Sequence, residues 1–308
     1  MSHDHSHDHS HHDANTSRTR LAIAFAITAG VLIAEVIGAL LTGSLALLTD
    51  AGHMLTDAGG LLMALLAAGL MTREPTDRRT WGWLRIEVLA AGAQATLLLI
   101  VGIYALIEGV RRLVGPVEVE PTGMLILGIV GLVANVAAML VLSGSRSANL
   151  NLRAAFLEVV NDALGSVAVI VSALAVQFFG WHRADAVAGI IIALLIVPRA
   201  IRILREAGEV LLESAPPSLD LGEVRRHLLN LEHVREIHDL HASRVSTNLP
   251  VITAHIIVEE ECFHDGHAPE ILKQLATCVA EHFAVSIEHS TFQLEPPGFT
   301  PNESVHHH

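Results

Sequence analysis

Two segments of this sequence set imidazole and carboxylate groups at helical spacing inside otherwise apolar stretches. In the first, Asp50-Ala-Gly-His53-Met-Leu-Thr-Asp57, steps of three and four residues put Asp50, His53 and Asp57 on one face of a helix. In the second, Glu158-Val-Val-Asn-Asp162-Ala-Leu-Gly-Ser166, two carboxylates again stand four positions apart. An ionisable side chain within a membrane span costs several kcal/mol unless it faces a partner or a polar cavity, so each cluster demands an occupant. Joined across a helix pair, His53, Asp57, Glu158 and Asp162 offer four ligands, the number a tetrahedral zinc site takes, and imidazole with carboxylate suits a borderline-soft divalent cation. The plainer reading, polar groups that pair to fix a bundle, fits poorly with two half-sites of identical spacing. Gly52, Gly59, Gly60, Gly165 and Ser166 beside them are small enough to let two helices approach closely.

The elements that must carry these groups are legible from hydropathy. The chain has 308 residues, 51% of them hydrophobic, and a mean hydropathy of +0.49, too apolar for an ordinary soluble protein. Six runs approach the roughly 20 residues that cross a bilayer: 19–41, 45–71, 86–114, 123–142, 152–179 and 184–204. Arg18, Arg20, Arg73, Arg78, Arg79, Arg85, Arg146, Arg153, Arg199, Arg202 and Arg205 fall on one side of these spans, against Arg111, Arg112 and Arg183 on the other. By the positive-inside rule both termini of this multi-pass membrane protein are cytoplasmic. After the last span the pattern changes to a helix over 221–231, strands near 234–245 and 251–259, a helix over 269–283 and a strand over 286–295. The expected fold class is therefore an α-helical membrane protein of six transmembrane helices with a C-terminal cytoplasmic α+β domain of order αββαβ, its helices on one face of a mostly antiparallel, ferredoxin-like sheet. The domains read as a His-rich disordered leader at 1–17, a membrane domain at 18–207, the cytoplasmic domain at 208–297 and a disordered tail at 298–308.

Composition removes several function classes. A net charge of −13 opposes a nucleic-acid partner. Cys262 and Cys278 form neither a disulfide framework nor a CxxC motif and read as reduced, structural residues. His3, His5, His7, His9, His11 and His12 alternate with Asp4, Asp8 and serines in a leader without an apolar h-region, so it reads as a metal-chelating tract and not as a signal peptide. No HExxH motif supports a membrane metalloprotease, and the chain is expected not to be an enzyme. A membrane metal sensor without transport is the competing reading; its signature would be an attached output domain. A metal ligand must lose its proton to bind and regain one when the metal leaves, which makes a proton-coupled cycle the natural chemistry, with His53 the first coupling group and Glu158 the second.

With these motifs in view, the chain resembles the cation diffusion facilitator family, in particular bacterial exporters of the cadmium, zinc and cobalt resistance type. The resemblance runs from Arg18 to about Pro297 and rests on Ser44-Leu-Ala-Leu-Leu-Thr-Asp50-Ala-Gly-His53-Met-Leu-Thr-Asp57, on the segment from Glu158 to Ser166, and on His238-Asp-Leu-His241. It implies a lipid-embedded homodimer in the cell's inner (plasma) membrane that exports Zn2+, or Co2+ or Cd2+, in exchange for protons by alternating access. It implies further that Asp50 lines the approach to the site, and that His238, His255, His289 and Glu295 bind a regulatory Zn2+ in the cytoplasmic domain. Many zinc-transporting relatives have histidine where this chain has Glu158, so one imidazole and three carboxylates make a harder site that admits other metals. Relatives also use a loop site near Asp77; with only Arg78, Arg79 and Trp81 around it here, no metal is expected at that loop.

Overall fold

The computed structural model describes the backbone of residues 10–70, 75–143, 150–247 and 249–299. Side chains at 10–24, 27, 57, 60, 61, 63–70, 138, 141–143 and 150–159 lie outside the described residues. Two expected ligands, Asp57 on the second helix and Glu158 on the fifth, are among these.

Six long helices come first: α1 (Ser10–Thr42), α2 (Leu45–Leu70), α3 (Ile86–Val114), α4 (Pro121–Ser143), α5 (Leu150–Phe179) and α6 (Arg183–Leu211). α1 starts at Ser10, inside the stretch 1–17 expected to lack order, and α6 runs to Leu211, past the expected end of the membrane domain at 207. Among the described residues, α3, α6 and the Val160–Phe179 part of α5 are long and apolar enough to cross a membrane, with shorter apolar stretches at Thr28–Thr42 and Pro121–Ala137. The chain separates into two compact units, one of Met1–Thr72 with Ala90–Leu204 and the other of Arg73–Leu89 with Arg205–His308.

In the first unit the helices turn apolar faces outward. Ile100, Ile103, Tyr104, Ile107 and Val110 form an exposed apolar stripe on α3, and Ile126, Ile129, Val130, Val133 and Val136 form one on α4. Both follow the three- and four-residue steps of a single helical face. An exposed apolar face of this kind is what a lipid environment calls for. The interior combines large apolar side chains such as Leu47, Leu98, Met124 and Val169 with small ones, among them Ala39, Ala46, Ala95, Ala105, Ala173, Ala193 and Ala200, and with the polar Glu35, Asp50, His53, Asn135, Asp162 and Asp185.

The second unit contains α7 (Leu221–Leu229), β1 (Val234–Ser246), β2 (Leu249–Val258), a short α8 (Cys262–Asp265), α9 (Ala268–Glu281) and β3 (His289–Glu295). α7 starts where Asp220 accepts hydrogen bonds from the amides of Gly222 and Glu223, a cap worth about 1 kcal/mol. The sheet order is β1-β2-β3. β1 pairs antiparallel with β2, whereas β2 pairs parallel with β3. The sheet is therefore mixed and not mostly antiparallel, because a parallel neighbour needs a crossover and α8 with α9 supplies it. Strict alternation along β2 buries Ile252, Ala254, Ile256 and Val258 against Val224 and Leu228 of α7 and Ile271, Leu275, Cys278 and Val279 of α9. The opposite face of the sheet carries His255.

The segment between α2 and α3 belongs to this second unit. Arg85 pairs with Glu213 at 2.8 Å, Thr247 Oγ1 donates to Glu87 at 3.4 Å, and Val88 packs with Ala207 and Val210. Trp81 meets the ring of His289 edge-on, with centroids 5.4 Å apart, and the Arg79 guanidinium lies 3.7 Å over Trp83.

Candidate metal centres

The membrane-domain site begins with how α2 starts. Gly43 closes α1 in a left-handed conformation (φ 69°), its amide donating to Ala39 at 2.9 Å, the ending glycine adopts without strain. Ser44 Oγ then accepts from the amide of Leu47 at 3.1 Å and donates to Asp185 Oδ1 at 2.5 Å. The amides of Leu45 and Ala46 also donate to Asp185, at 2.7 and 3.2 Å. Arg112 completes the clamp, donating to the Gly43 carbonyl at 2.6 Å and lying 3.6 Å from Asp185. A buried carboxylate on α6 thus satisfies amides that a helix start leaves without intrahelical partners, and it sits at the positive end of the helix dipole. This seats α2 about two and a half turns before His53.

From that start the helical spacing brings Asp50 and His53 to α5. His53 Nε2 lies 2.9 Å from Asp162 Oδ1, and both residues are buried. Asp50 is buried too, its carboxylate seated against Gly165, where a Cβ would come within 2.6 Å of Oδ1. The absent side chain at Gly165 is what admits that carboxylate. Asp50, His53 and Asp162 are therefore one cluster at the α2–α5 contact, as the spacing predicts. Asp57 and Glu158 follow on the same two helices, one turn after His53 and one turn before Asp162, with side chains outside the described residues.

Two more buried polar residues, on α1 and α4, extend the cluster. Glu35 of α1 is 2% exposed, with Oε1 facing Gly131 of α4, and its Oε2 has no hydrogen-bond partner among the described residues. Asn135 of α4 donates to Ser166 Oγ of α5 at 3.4 Å. In the sequence Glu35 and Asn135 are each an isolated acidic or amide residue in an apolar run, with no step of three or four to another.

The second centre lies on the helix-free face of the C-terminal sheet. His238 and His255 are direct cross-strand partners, their rings edge to face with centroids 5.2 Å apart. Glu295 of β3 is 1% exposed and reaches both, with Oε2 3.0 Å from His238 Nε2 and Oε1 3.0 Å from His255 Nδ1. Gln293 Nε2 donates to Glu295 Oε1 at 2.8 Å. A register shift between His238 and His241 accompanies a left-handed Asp239 (φ 48°). This bulge turns the Asp239 carboxylate to within 2.7 Å of His241 Nε2 and 3.9 Å of His255 Nε2. Two imidazoles and a buried carboxylate whose ligand atoms lie within 4.8 Å of one another match a three-residue zinc set with further positions open.

His289 is not brought to this set. It pairs with Val251 at the opposite end of β3, on the same side of the strand as Glu295 but six residues away, about 20 Å along an extended chain. Its ring packs on Trp81. Gln293 holds the position beside the centre, paired with His255, and nothing in its residue type marks it as belonging to a metal site. At the far end of the β1–β2 pair His233 and Glu259 form a further contact at 2.9 Å. That hydrogen bond holds the imidazole above its ordinary pKa and the carboxylate below its own.

Comparison with known proteins agrees with this architecture. Residues 21–212 match a family profile described as the cation efflux transmembrane domain, and residues 216–297 one described as the cytoplasmic domain of cation efflux proteins. The chain is 41% identical to the zinc transporter ZitB of Escherichia coli over the full length of both. It is 39% identical to the metal cation efflux system protein CzcD of Cupriavidus metallidurans, covering 96% of this chain and 89% of that one. It is 35% identical to a cadmium, cobalt and zinc/H(+)-K(+) antiporter of Bacillus subtilis, covering 97% and 90%.

Proposed function

Because the chain belongs to the cation efflux, or cation diffusion facilitator, family, we propose that it is a secondary transporter that expels Zn2+, and also Co2+ or Cd2+, from the cytoplasm in exchange for protons. The observation that carries this reading is the 2.9 Å contact between His53 of α2 and Asp162 of α5. An imidazole and a carboxylate supplied by two different helices form a half-built ligand set deep in an apolar bundle, and Asp57 and Glu158 complete it from the next turn of each helix. The close relationship to proteins named for zinc, and for cadmium, cobalt and zinc, supports the cargo.

In this reading α1 to α6 are six spans and both termini are cytoplasmic, with domains at 1–17, 18–207, 208–297 and 298–308. The working unit is a homodimer joined through its cytoplasmic domains. Metal enters the four-ligand cage as protons leave His53 and Glu158; reprotonation on the other side releases it. His238, His255 and Glu295 hold a regulatory Zn2+ in the cytoplasmic domain. Three carboxylates and one imidazole make the cage harder than a two-histidine site, and selectivity broadens accordingly.

Zinc flux into proteoliposomes under an imposed proton gradient tests the assignment. Wild type should accumulate zinc and His53→Ala and Asp57→Ala should not; normal uptake by either variant would remove that residue from the cage. A Glu158→His variant should shift transport from cobalt and cadmium toward zinc, and an unchanged metal profile would show that Glu158 does not set selectivity.

A further inference from the structure

A separate group of metal-binding side chains gathers where β1 begins and β2 ends. The register that pairs Val234 with Val258 makes His233, just before β1, the neighbour of Glu259, just after β2, and the Glu259 amide donates to the His233 carbonyl at 3.1 Å. The chain turns at once into α8, where the Cys262 amide donates back to Glu259 at 3.1 Å. Gly266, left-handed at φ 93°, ends α8 and folds His267 against Asp265, with Nδ1 2.8 Å from Oδ2. The rings of His233 and His267 then lie 4.9 Å apart, inclined by 35°. The ligand atoms of His233, Glu259 and Cys262 lie within 4.8 Å of one another, and so do those of Cys262, Asp265 and His267. Cys262 is common to both groups.

We propose that Cys262, His233 and His267, completed by Glu259 or Asp265, form a second cytoplasmic site for a thiophilic divalent cation such as zinc or cadmium. Two imidazoles, a thiolate and a carboxylate are a zinc donor set, and the sulfur favours softer ions than the nitrogen and oxygen ligands at His238, His255 and Glu295. Two local ion pairs account for each histidine separately. They do not account for a thiol whose sulfur lies within 4.8 Å of ligand atoms of both; Cys262 and Cys278 both border the apolar core under the sheet, but among the described residues only Cys262 joins such groups. The two cytoplasmic centres cannot share an ion: His238 lies five positions after His233 along the chain and Glu259 four after His255, roughly 13–17 Å in extended strand. An ion here would tie the α8–α9 crossover to the end of the β1–β2 pair.

Cobalt(II) titrated into the full-length, detergent-solubilised protein reads this site alone, because only a thiolate ligand gives the near-ultraviolet sulfur-to-cobalt charge-transfer band. The chain has two cysteines, and its histidine-rich leader and carboxylate cages give no such band. The band should appear in wild type, persist in Cys278→Ser and in His238→Ala, and vanish in Cys262→Ser. The exposed His267→Ala should move its midpoint to cobalt concentrations about tenfold higher or more, in line with losing one ligand. No band in wild type, a band surviving Cys262→Ser, or an unmoved midpoint in His267→Ala would each overturn the proposal. None of these outcomes depends on whether the protein transports metal.

Discussion

The membrane cluster and the sheet centre use the same chemistry, imidazole beside carboxylate, on opposite construction principles. On α2 and α5 each helix presents its own ligands by local spacing, and a single helix contact, 2.9 Å between His53 and Asp162, joins two prefabricated halves. On the sheet no strand presents a half-site. His238, His255 and Glu295 come one from each of three strands, and only the antiparallel and parallel registers bring them within 4.8 Å. A cluster built on two helices changes shape whenever those helices shift past one another, which suits the transport role proposed for it. The sheet centre moves only if backbone pairing breaks, which suits the regulatory role proposed for it.

The largest effect that would break this contrast is expected at Asp162. Asp162→Asn keeps the volume and removes the charge facing His53. Zinc flux in proteoliposomes should fall by more than the roughly 10–100-fold that loss of an outer partner costs a metal site, with the protein still folded. Flux within a few-fold of wild type would mean that the two helical halves do not meet in the working site.

The seating of α2 is the next test. Asp185 is 1% exposed and receives Ser44, Leu45 and Ala46 beside Arg112. Asp185→Ala leaves the guanidinium and two helix amides without their carboxylate, and breaking a buried pair of this kind costs about 3–5 kcal/mol. Thermal unfolding of the solubilised protein should show a clearly lowered midpoint. An unchanged midpoint would show that α2 is held by its apolar packing and not from its first turn.

The same contrast explains what could be read in advance. Candidate groups on one helix are close in sequence, so Asp50 with His53 and Asp57, and Glu158 with Asp162, stand out by steps of three and four, and the structure joins Asp50, His53 and Asp162 of these; the bounds of α3 followed directly from where its apolar run begins and ends. Strand ligands are distant in sequence, and their grouping depends on a register that local pattern does not contain. The parallel β2–β3 pairing, the bulge at Asp239 and the placement of His289 at the wrong end of its strand all belong to that missing information. α8 has four residues, too few for a periodic signal, and its brevity concealed Cys262 beside His233. Asp185 stands in the first turn of α6, where its own sequence surroundings give no hint that its partners lie at the start of α2, some 140 positions earlier.

At the sheet centre Glu295→Gln should weaken zinc binding by roughly 10–100-fold, measured on full-length protein carrying Asp162→Asn to silence the membrane cage. The effect is expected to be large because this one buried carboxylate contacts both histidines. Equal affinity in the two proteins would leave His238 and His255 as an ordinary ion-paired face of the sheet.

The smallest effect separates register from residue type most cleanly. His289 is a good ligand in a poor place, and Gln293 is a poor ligand in the right one, oriented by its bond to Glu295. His289→Ala should leave zinc affinity at the sheet centre unchanged and cost about 1 kcal/mol or less of stability through the lost contact with Trp81. Gln293→Ala should lower zinc affinity about tenfold by releasing the carboxylate that it positions. The reverse order of effects would mean that β3 pairs with β2 in another register when metal is bound, since no rotamer of His289 spans six residues of strand.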